Sequence, residues 1–144
     1  MFSQHLYLFN KQTDNFSGFA MKNFKNIDLV TSRLMLAMGF KLSLLGTTYL
    51  REAIVYRYDY SLDCKISLSK QILSHIAQKY NVSINSIDRD MRTALIKCYN
   101  DGTMFALNDI LGCGVISKQY APTISEFIMI LVTYFKTMEA EFSA

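Results

Sequence analysis

Four polar residues recur at helical spacing in the second half of the chain, namely Asn85, Arg89, Arg92 and Thr93. On a helical wheel of about 100° per residue they lie opposite an apolar arc. That arc consists of Ile84, Ile87, Met91, Ala94, Leu95 and Cys98. An arginine fork can donate two hydrogen bonds to guanine, worth roughly 1–3 kcal/mol of discrimination between bases. The pattern predicts a helix that packs by its apolar side and reads DNA bases with its polar side.

A second set of polar residues flanks this helix and the helix before it. Lysines, short hydroxyl side chains and helix N-termini commonly bind phosphates. The candidates for phosphate contact are Lys70, Lys79, Ser83 and Ser86, while Asp88 lies at the boundary between the two sides of the helix. One alternative stays open, because Arg89 and Arg92 can also pair with Asp88 or Asp90 on an ordinary solvated helix.

Positive charge is concentrated around these residues. Residues 65–97 contain six Lys or Arg and two Asp, although the whole chain has a formal net charge of only +3. A focused basic patch is what a polyanionic partner requires. A solvated helical surface has the same composition, so charge alone does not decide between the two interpretations.

The elements that must position these side chains are helices. Apolar residues recur every three to four positions, which predicts helices over about 27–38, 45–58, 68–80, 84–100, 104–111 and 124–139. Asn26 and Ser83 are expected N-caps, and Gly39 and Gly102 follow predicted helix ends. The third and fourth helices, joined by residues 81–83, have the proportions of a helix-turn-helix. We therefore expect an all-α, six-helix bundle-like domain that contains a helix-turn-helix.

The chain is expected to divide into an N-terminal arm or extension, residues 1–27, and a helix-turn-helix effector domain, residues 28–144. The first 26 residues contain five Phe without sustained periodicity, which is too aromatic for a typical disordered tail. We predict an arm or short helix that packs on the body of the domain or on another subunit.

Composition excludes several other classes of protein. With 144 residues, 51% of them hydrophobic, the chain can bury a core without metal or disulfides. Its three cysteines form no CxxC pair, and neither metal-ligand spacing nor a GxSxG, Walker or GxGxxG motif occurs. The longest uncharged run near the C-terminus, residues 127–135, is far too short for a membrane span. We expect no cofactor, no enzymatic activity, no membrane contact and a cytoplasmic, nucleoid-associated location.

Four stretches carry a resemblance to a known family. They are GFKLSLLGTTYLREAI (39–54), ILSHIAQKYN (72–81), SIDRDMRTAL (86–95) and APTISEFI (121–128). In this order they resemble the C-terminal DNA-binding effector domain of the bacterial sporulation response regulator, stage-zero sporulation protein A. The resemblance extends from about residue 28 to the end of the chain.

This resemblance implies a six-helix fold that binds double-stranded promoter DNA, typically as tandem copies, and contacts RNA polymerase away from the recognition helix. By position, Arg89 and Arg92 would read bases and Asp88 would shape their placement. Two departures matter. Only 27 residues precede the match, too few for the family's receiver domain, so phosphorylation is not expected to control this chain in the usual way. Ser86, Asp90 and Thr93 also differ from the family's usual residues, and Asp90 adds negative charge close to the expected phosphates.

A second function remains open. The chain could be a receiver-less interaction protein that pairs with a full-length relative and modulates it, using the aromatic N-terminal arm and the apolar last helix. That helix has a wider apolar band than one face needs, including Phe127, Ile130, Leu131 and Tyr134. Burial in the core is the default interpretation, and a homodimer interface is the alternative.

Overall fold

The computed structural model describes residues 16–60, apart from residues 17, 21 and 24, and residues 67–143. Within these ranges the chain forms helices and connecting segments, with no β-strand. The α-helices are α1 (Ile27–Ala37), α2 (Leu45–Asp59), α3 (Leu73–Tyr80), α4 (Ile84–Asn100), α5 (Ala106–Leu111) and α6 (Ile124–Ser143). A π-helical turn, Leu68–Ile72, leads into α3, and a 3₁₀ turn, Thr103–Phe105, leads into α5. The predicted all-α class is confirmed.

Helix α2 is the central element, because it contacts α1, α3, α4 and α6. Its residues Leu50, Ala53 and Ile54 are completely buried. Around them pack the largest core side chains of the other helices, among them Leu34, Ile76, Ile87, Met91, Phe127 and Phe135. Helix α4 is thus attached to the core along its length by α2, and its other side faces outward.

The connection between α3 and α4 is short and well defined. Asn81 ends α3 with a φ of 54°, in the left-handed region that Asn tolerates better than most residues. Two residues later the Ser83 hydroxyl accepts a hydrogen bond from the Ser86 N–H at 3.2 Å, which caps the N-terminus of α4. Three residues, 81–83, therefore separate the two helices, as the sequence predicts.

Most predicted helix bounds agree with the structure to within one or two residues, but three details differ. The third predicted helix begins as a π-helical turn, in which the Ser67 hydroxyl accepts from the Lys70 N–H. The last helix continues to Ser143, four residues beyond its predicted end at 139. Ile84 is 39% exposed rather than buried, because it is the first residue of α4 and projects beyond the core.

The described part of residues 16–23 is also helical, which adds a helical segment to the six that were predicted. Phe16 and Ala20 are buried in the core, and the Phe16 ring stacks on Tyr134 of α6 with centroids 6.3 Å apart. The Arg33 guanidinium lies 5.3 Å from the centre of the Phe19 ring. This segment is thereby fixed against α1 and α6.

Candidate nucleic-acid interface

Helix α4 has two sharply different sides. Ile87, Met91, Ala94, Leu95 and Cys98 are all at most 2% exposed. On the opposite side the Arg89 and Arg92 side chains are 74% and 66% exposed, and Asn85 and Thr93 are exposed as well. All four predicted base-reading residues therefore lie on one accessible face of one helix, starting in its first turn.

Both arginines lie close to carboxylates of the same helix. The Arg92 Nη2 donates to the Asp88 Oδ2 at 2.8 Å, and the Arg89 Nε lies 3.9 Å from the Asp90 Oδ1. These are the pairs that the solvated-helix interpretation predicts. Exposed ion pairs contribute only about 0.2–1 kcal/mol, whereas one bidentate base contact contributes roughly 1–3 kcal/mol. The pairs therefore orient the arginines without preventing an exchange of partner.

The Thr93 hydroxyl donates to the Arg89 carbonyl at 2.9 Å. Because its proton is used within the helix, the side chain offers an acceptor oxygen and a methyl group to a ligand. A threonine methyl is one of the groups that can contact the methyl of thymine in the major groove. Thr93 thus adds an apolar element to a face that is otherwise polar.

The seating of α4 on the core depends on Gly46 near the start of α2. Gly46 is buried, and a Cβ atom at this position would overlap the backbone carbonyl of Asp90 and lie 2.9 Å from the Ala94 Cβ. Helices α2 and α4 therefore approach each other backbone to backbone at this point. Asp90 lies between Arg89 and Arg92 in the sequence of α4. Its close approach to Gly46 therefore sets the distance of both arginines from the core.

Three of the predicted phosphate-contacting residues lie at two places, the N-terminus of α4 and the turn before α3. Ser83 and Ser86 are at the N-terminus of α4, where the Ser83 hydroxyl caps the helix and donates to the Ser86 Oγ at 2.9 Å. Lys70 is exposed on the π-helical turn before α3. These residues belong to the helix pair α3 and α4 and to its entry turn.

Lys79 is held by a residue that the sequence analysis did not identify. Its Nζ donates to the Glu52 Oε1 of α2 at 2.8 Å, and the Tyr80 hydroxyl donates to the same oxygen at 2.9 Å. The hydrogen bond to Glu52 raises the pKa of Lys79. Glu52 thus ties the C-terminal end of α3 to α2. In the sequence it is an acidic residue between Arg51 and the buried Ala53, within the stretch 39–54 that carries the family resemblance.

Two surface grooves adjoin the arginines. One, of about 580 Å³, runs along α4 itself and is lined by Asp88, Arg89, Arg92, Thr93, Ile96, Lys97, Asn100 and Asp101. The other, of about 400 Å³, lies between α4 and residues 121–125 at the start of α6. Arg92 and Asp88 line both grooves. The two grooves therefore meet at these two side chains.

Of the histidine and cysteine residues within the described ranges, His75 and Cys98 contact other parts of the fold, whereas Cys113 is exposed. His75 lies against Tyr56, with ring centroids 4.6 Å apart. Burial raises the pKa of Cys98 to about 11, and its Sγ donates to the Met38 carbonyl at 3.2 Å. In the described part of the chain no group of three or more His, Cys, Asp or Glu residues could hold a metal ion. None of its helices has the combination of length and apolar character needed to cross a bilayer.

An all-helical fold with an exposed arginine-bearing helix is typical of one class of protein, the helical DNA-binding regulatory domains. The comparison with protein families gives a more specific result. The family described as "Sporulation initiation factor Spo0A C terminal" matches residues 31–135, which is most of the chain. The protein belongs to this family, as the sequence motifs indicated. The matched range begins within α1 and ends within α6, so it includes every residue of the candidate interface.

Proposed function

We propose that this domain is a sequence-specific transcriptional regulator that reads promoter DNA with α4. The helices α3 and α4 and their three-residue connection act as a helix-turn-helix, with α4 as the recognition helix in the major groove. The observation that carries the proposal is the exposed face of α4, where two arginines stand opposite a completely buried stripe. Membership of a family of sporulation effector domains supports the same function.

In this proposal, different side chains contact different parts of the DNA according to their chemistry. Arg89 and Arg92 bind base edges, and Asn85 and Thr93 contact neighbouring bases. Asp88 positions Arg92 before DNA binds, through its 2.8 Å hydrogen bond. Lys70, Ser83 and Ser86 contact phosphates and set the register of the protein on the duplex. Lys79 joins them when its ammonium group exchanges Glu52 for a phosphate.

Further partners follow from this function. The domain would work in the cytoplasm, associated with the nucleoid, and would contact RNA polymerase through surfaces other than α4. A second candidate function is that of an interaction protein, which pairs with a larger relative of the same family. It is favoured by the outer side of α6, where Met129 is 43% exposed between two surface grooves.

The experiment that tests the DNA-binding function begins with selection of bound fragments from a genomic library. Binding to a selected duplex is then measured by fluorescence anisotropy for the parent protein, Arg89→Ala and Arg92→Ala. Loss of one bidentate contact should weaken specific binding roughly 5- to 150-fold, which corresponds to about 1–3 kcal/mol.

Arg33→Ala is the matched control, because it removes the same charge from the exposed side of α1. This control should retain most of the specific affinity, and all variants should keep the helical circular dichroism of the parent. The recognition-helix assignment is wrong if both α4 variants bind the selected duplex as tightly as the parent. Co-elution with a full-length relative, without DNA binding at low salt, would favour the interaction protein.

A further inference from the structure

A chain of charged side chains links α1, α2 and α3. Asp28 in the first turn of α1 accepts a hydrogen bond from the Arg51 Nη1 of α2. The Arg51 Nη2 lies 3.8 Å from the Glu52 Oε1, and the same oxygen accepts from the Lys79 Nζ of α3 at 2.8 Å. Charges of alternating sign therefore connect the start of α1 with the C-terminal end of the first helix of the proposed helix-turn-helix.

Glu52 is the member of this chain that most needs a cation. Its side chain is 14% exposed, whereas those of Lys79 and Asp28 are 51% and 54% exposed. A carboxylate that is shielded from water loses more stability without a partner than an exposed one. The Tyr80 hydroxyl also donates to Glu52, at 2.9 Å, but it carries no charge. Lys79 can therefore leave for a phosphate readily only if another cation compensates Glu52.

Arg51 is placed to compensate it. Its Nη1 is bonded to Asp28, while its Nη2 is just beyond hydrogen-bond distance from Glu52. A movement of about 1 Å would convert this contact into a hydrogen bond. The hydrogen bond to Glu52 raises the pKa of Lys79, and the charge of Arg51 acts against this effect. The two cations therefore compete for one carboxylate.

We infer that Arg51 is a positioning residue for the DNA contact of Lys79, because it takes over the Glu52 carboxylate when the lysine binds a phosphate. Asp28 acts in the opposite direction, since it draws Arg51 away from Glu52. Water can replace Arg51 at Asp28, whose side chain is more than half exposed. The inference rests on the proposed function, in which Lys79 contacts the DNA backbone.

The salt dependence of binding tests this arrangement with the full chain and a selected duplex. Each phosphate contact contributes about 0.9 to the slope of log K against log salt. Lys79→Met should therefore reduce the slope by about 0.9. Arg51→Gln should reduce it by a similar amount, because Glu52 then retains Lys79. Asp28→Asn should keep the slope of the parent and bind up to about fivefold more tightly, the range of one exposed ion pair.

Both changes also alter the net charge, so each is repeated in the Lys79→Met background. The effects of Arg51→Gln and Asp28→Asn should disappear there, whereas general effects of charge should persist. Arg33→Gln and Asp109→Asn make the same charge changes at exposed positions of α1 and α5 and are the matched controls. Their effects should be the same with and without Lys79, and all variants should keep the helical circular dichroism of the parent.

The inference is overturned if Lys79→Met keeps the salt slope of the parent, if Arg51→Gln and Asp28→Asn change affinity in the same direction, or if their effects persist without Lys79. If Arg51→Gln does not fold, Asp28→Asn at its exposed site decides the question alone. These results leave the DNA-binding function in place when Arg89→Ala still loses specific binding. Parental binding by Arg89→Ala and Arg92→Ala would instead reject the proposed recognition helix.

Discussion

The backbone carbonyl of Asp90 in α4 lies directly against the Cα of Gly46 in α2, and no space remains between them for a side chain. The Cβ of Ala94, one turn further along α4, would lie only 2.9 Å from a Cβ atom on Gly46. The helix that presents Arg89 and Arg92 is thus seated on a glycine. The position of the candidate interface depends on the absence of a side chain on a different helix.

Gly46→Ala is expected to destabilise the fold, although alanine favours helices over glycine. The added methyl meets backbone, which can yield only by moving α4. We expect a net loss of about 1–3 kcal/mol in the free energy of unfolding, as for other overpacked sites. Urea denaturation should show a lower midpoint. Gly114→Ala is the control, because no atom lies within 4 Å of its Cβ position, and an equal midpoint for both variants would contradict the prediction.

Asp88→Asn is expected to change the selectivity of DNA binding more than the stability of the protein. The variant removes the anion that holds Arg92 and reduces negative charge near the phosphates. Stability should change by less than about 1 kcal/mol, because the ion pair is exposed. Affinity for an unrelated duplex should rise, and the ratio of specific to non-specific affinity should fall.

Anisotropy titrations with a selected and a scrambled duplex at fixed salt measure this ratio. Asp109→Asn removes the same charge from α5 and serves as the control. An unchanged ratio for Asp88→Asn would show that the pair with Arg92 has no part in base reading.

Glu52→Gln is expected to loosen the C-terminal end of α3. The carboxylate accepts hydrogen bonds from Lys79 and Tyr80 and lies 3.8 Å from Arg51, and its side chain is only 14% exposed. Loss of its charge should reduce the free energy of unfolding by about 1–2 kcal/mol, since Lys79 itself is half exposed. The difference should shrink as salt is added, because salt screens the ion pairs. Glu141→Gln, at an exposed position of α6, should have no such effect.

Tyr58 is expected to make stability sensitive to alkaline pH. Burial, followed by its 2.8 Å hydrogen bond to Glu139, raises the pKa of Tyr58 in the folded protein. The folded state therefore holds this proton more tightly than the unfolded state. The resulting stability is present below the unfolded pKa of about 10 and is lost as the pH rises above it.

Urea midpoints of the parent and of Tyr58→Phe, measured between pH 8 and pH 11, provide the test. The variant should be less stable than the parent at pH 8, and the difference should narrow above pH 10. A constant difference across this range would mean that Tyr58 does not contribute to the alkaline loss.

The sequence alone predicts a large part of this structure, and the parts it misses share a cause. The wheel of residues 84–100 separates the buried stripe of α4 from its exposed arginines correctly, because a long helix with period 3.6 has one dominant way to pack. Only Ile84 is misassigned, since the wheel takes no account of where a helix leaves the core. Caps such as Ser83 are predictable because they act within one turn of chain.

Contacts between helices that are far apart along the chain could not be predicted from the sequence. Gly46 lies within a helix, where glycine has no local advantage. The structure explains its presence, because a side chain there would overlap the carbonyl of Asp90. Glu52 and Lys79 are separated by 27 positions, so no local pattern joins them. The partner of Lys79 could not be predicted from the position of this residue beside the turn, because Glu52 belongs to another helix. Long-range packing decides both cases.

The fit of Gly46 beneath Asp90 also has a genetic consequence. Every missense change of a glycine codon introduces an amino acid that has a Cβ atom, so no single-nucleotide substitution that replaces Gly46 avoids this clash. In a saturation library ranked by the stability of the folded domain, every amino-acid replacement at codon 46 should therefore rank below the parent. A functional regulator would then depend on Gly46, a buried position that does not contact the ligand.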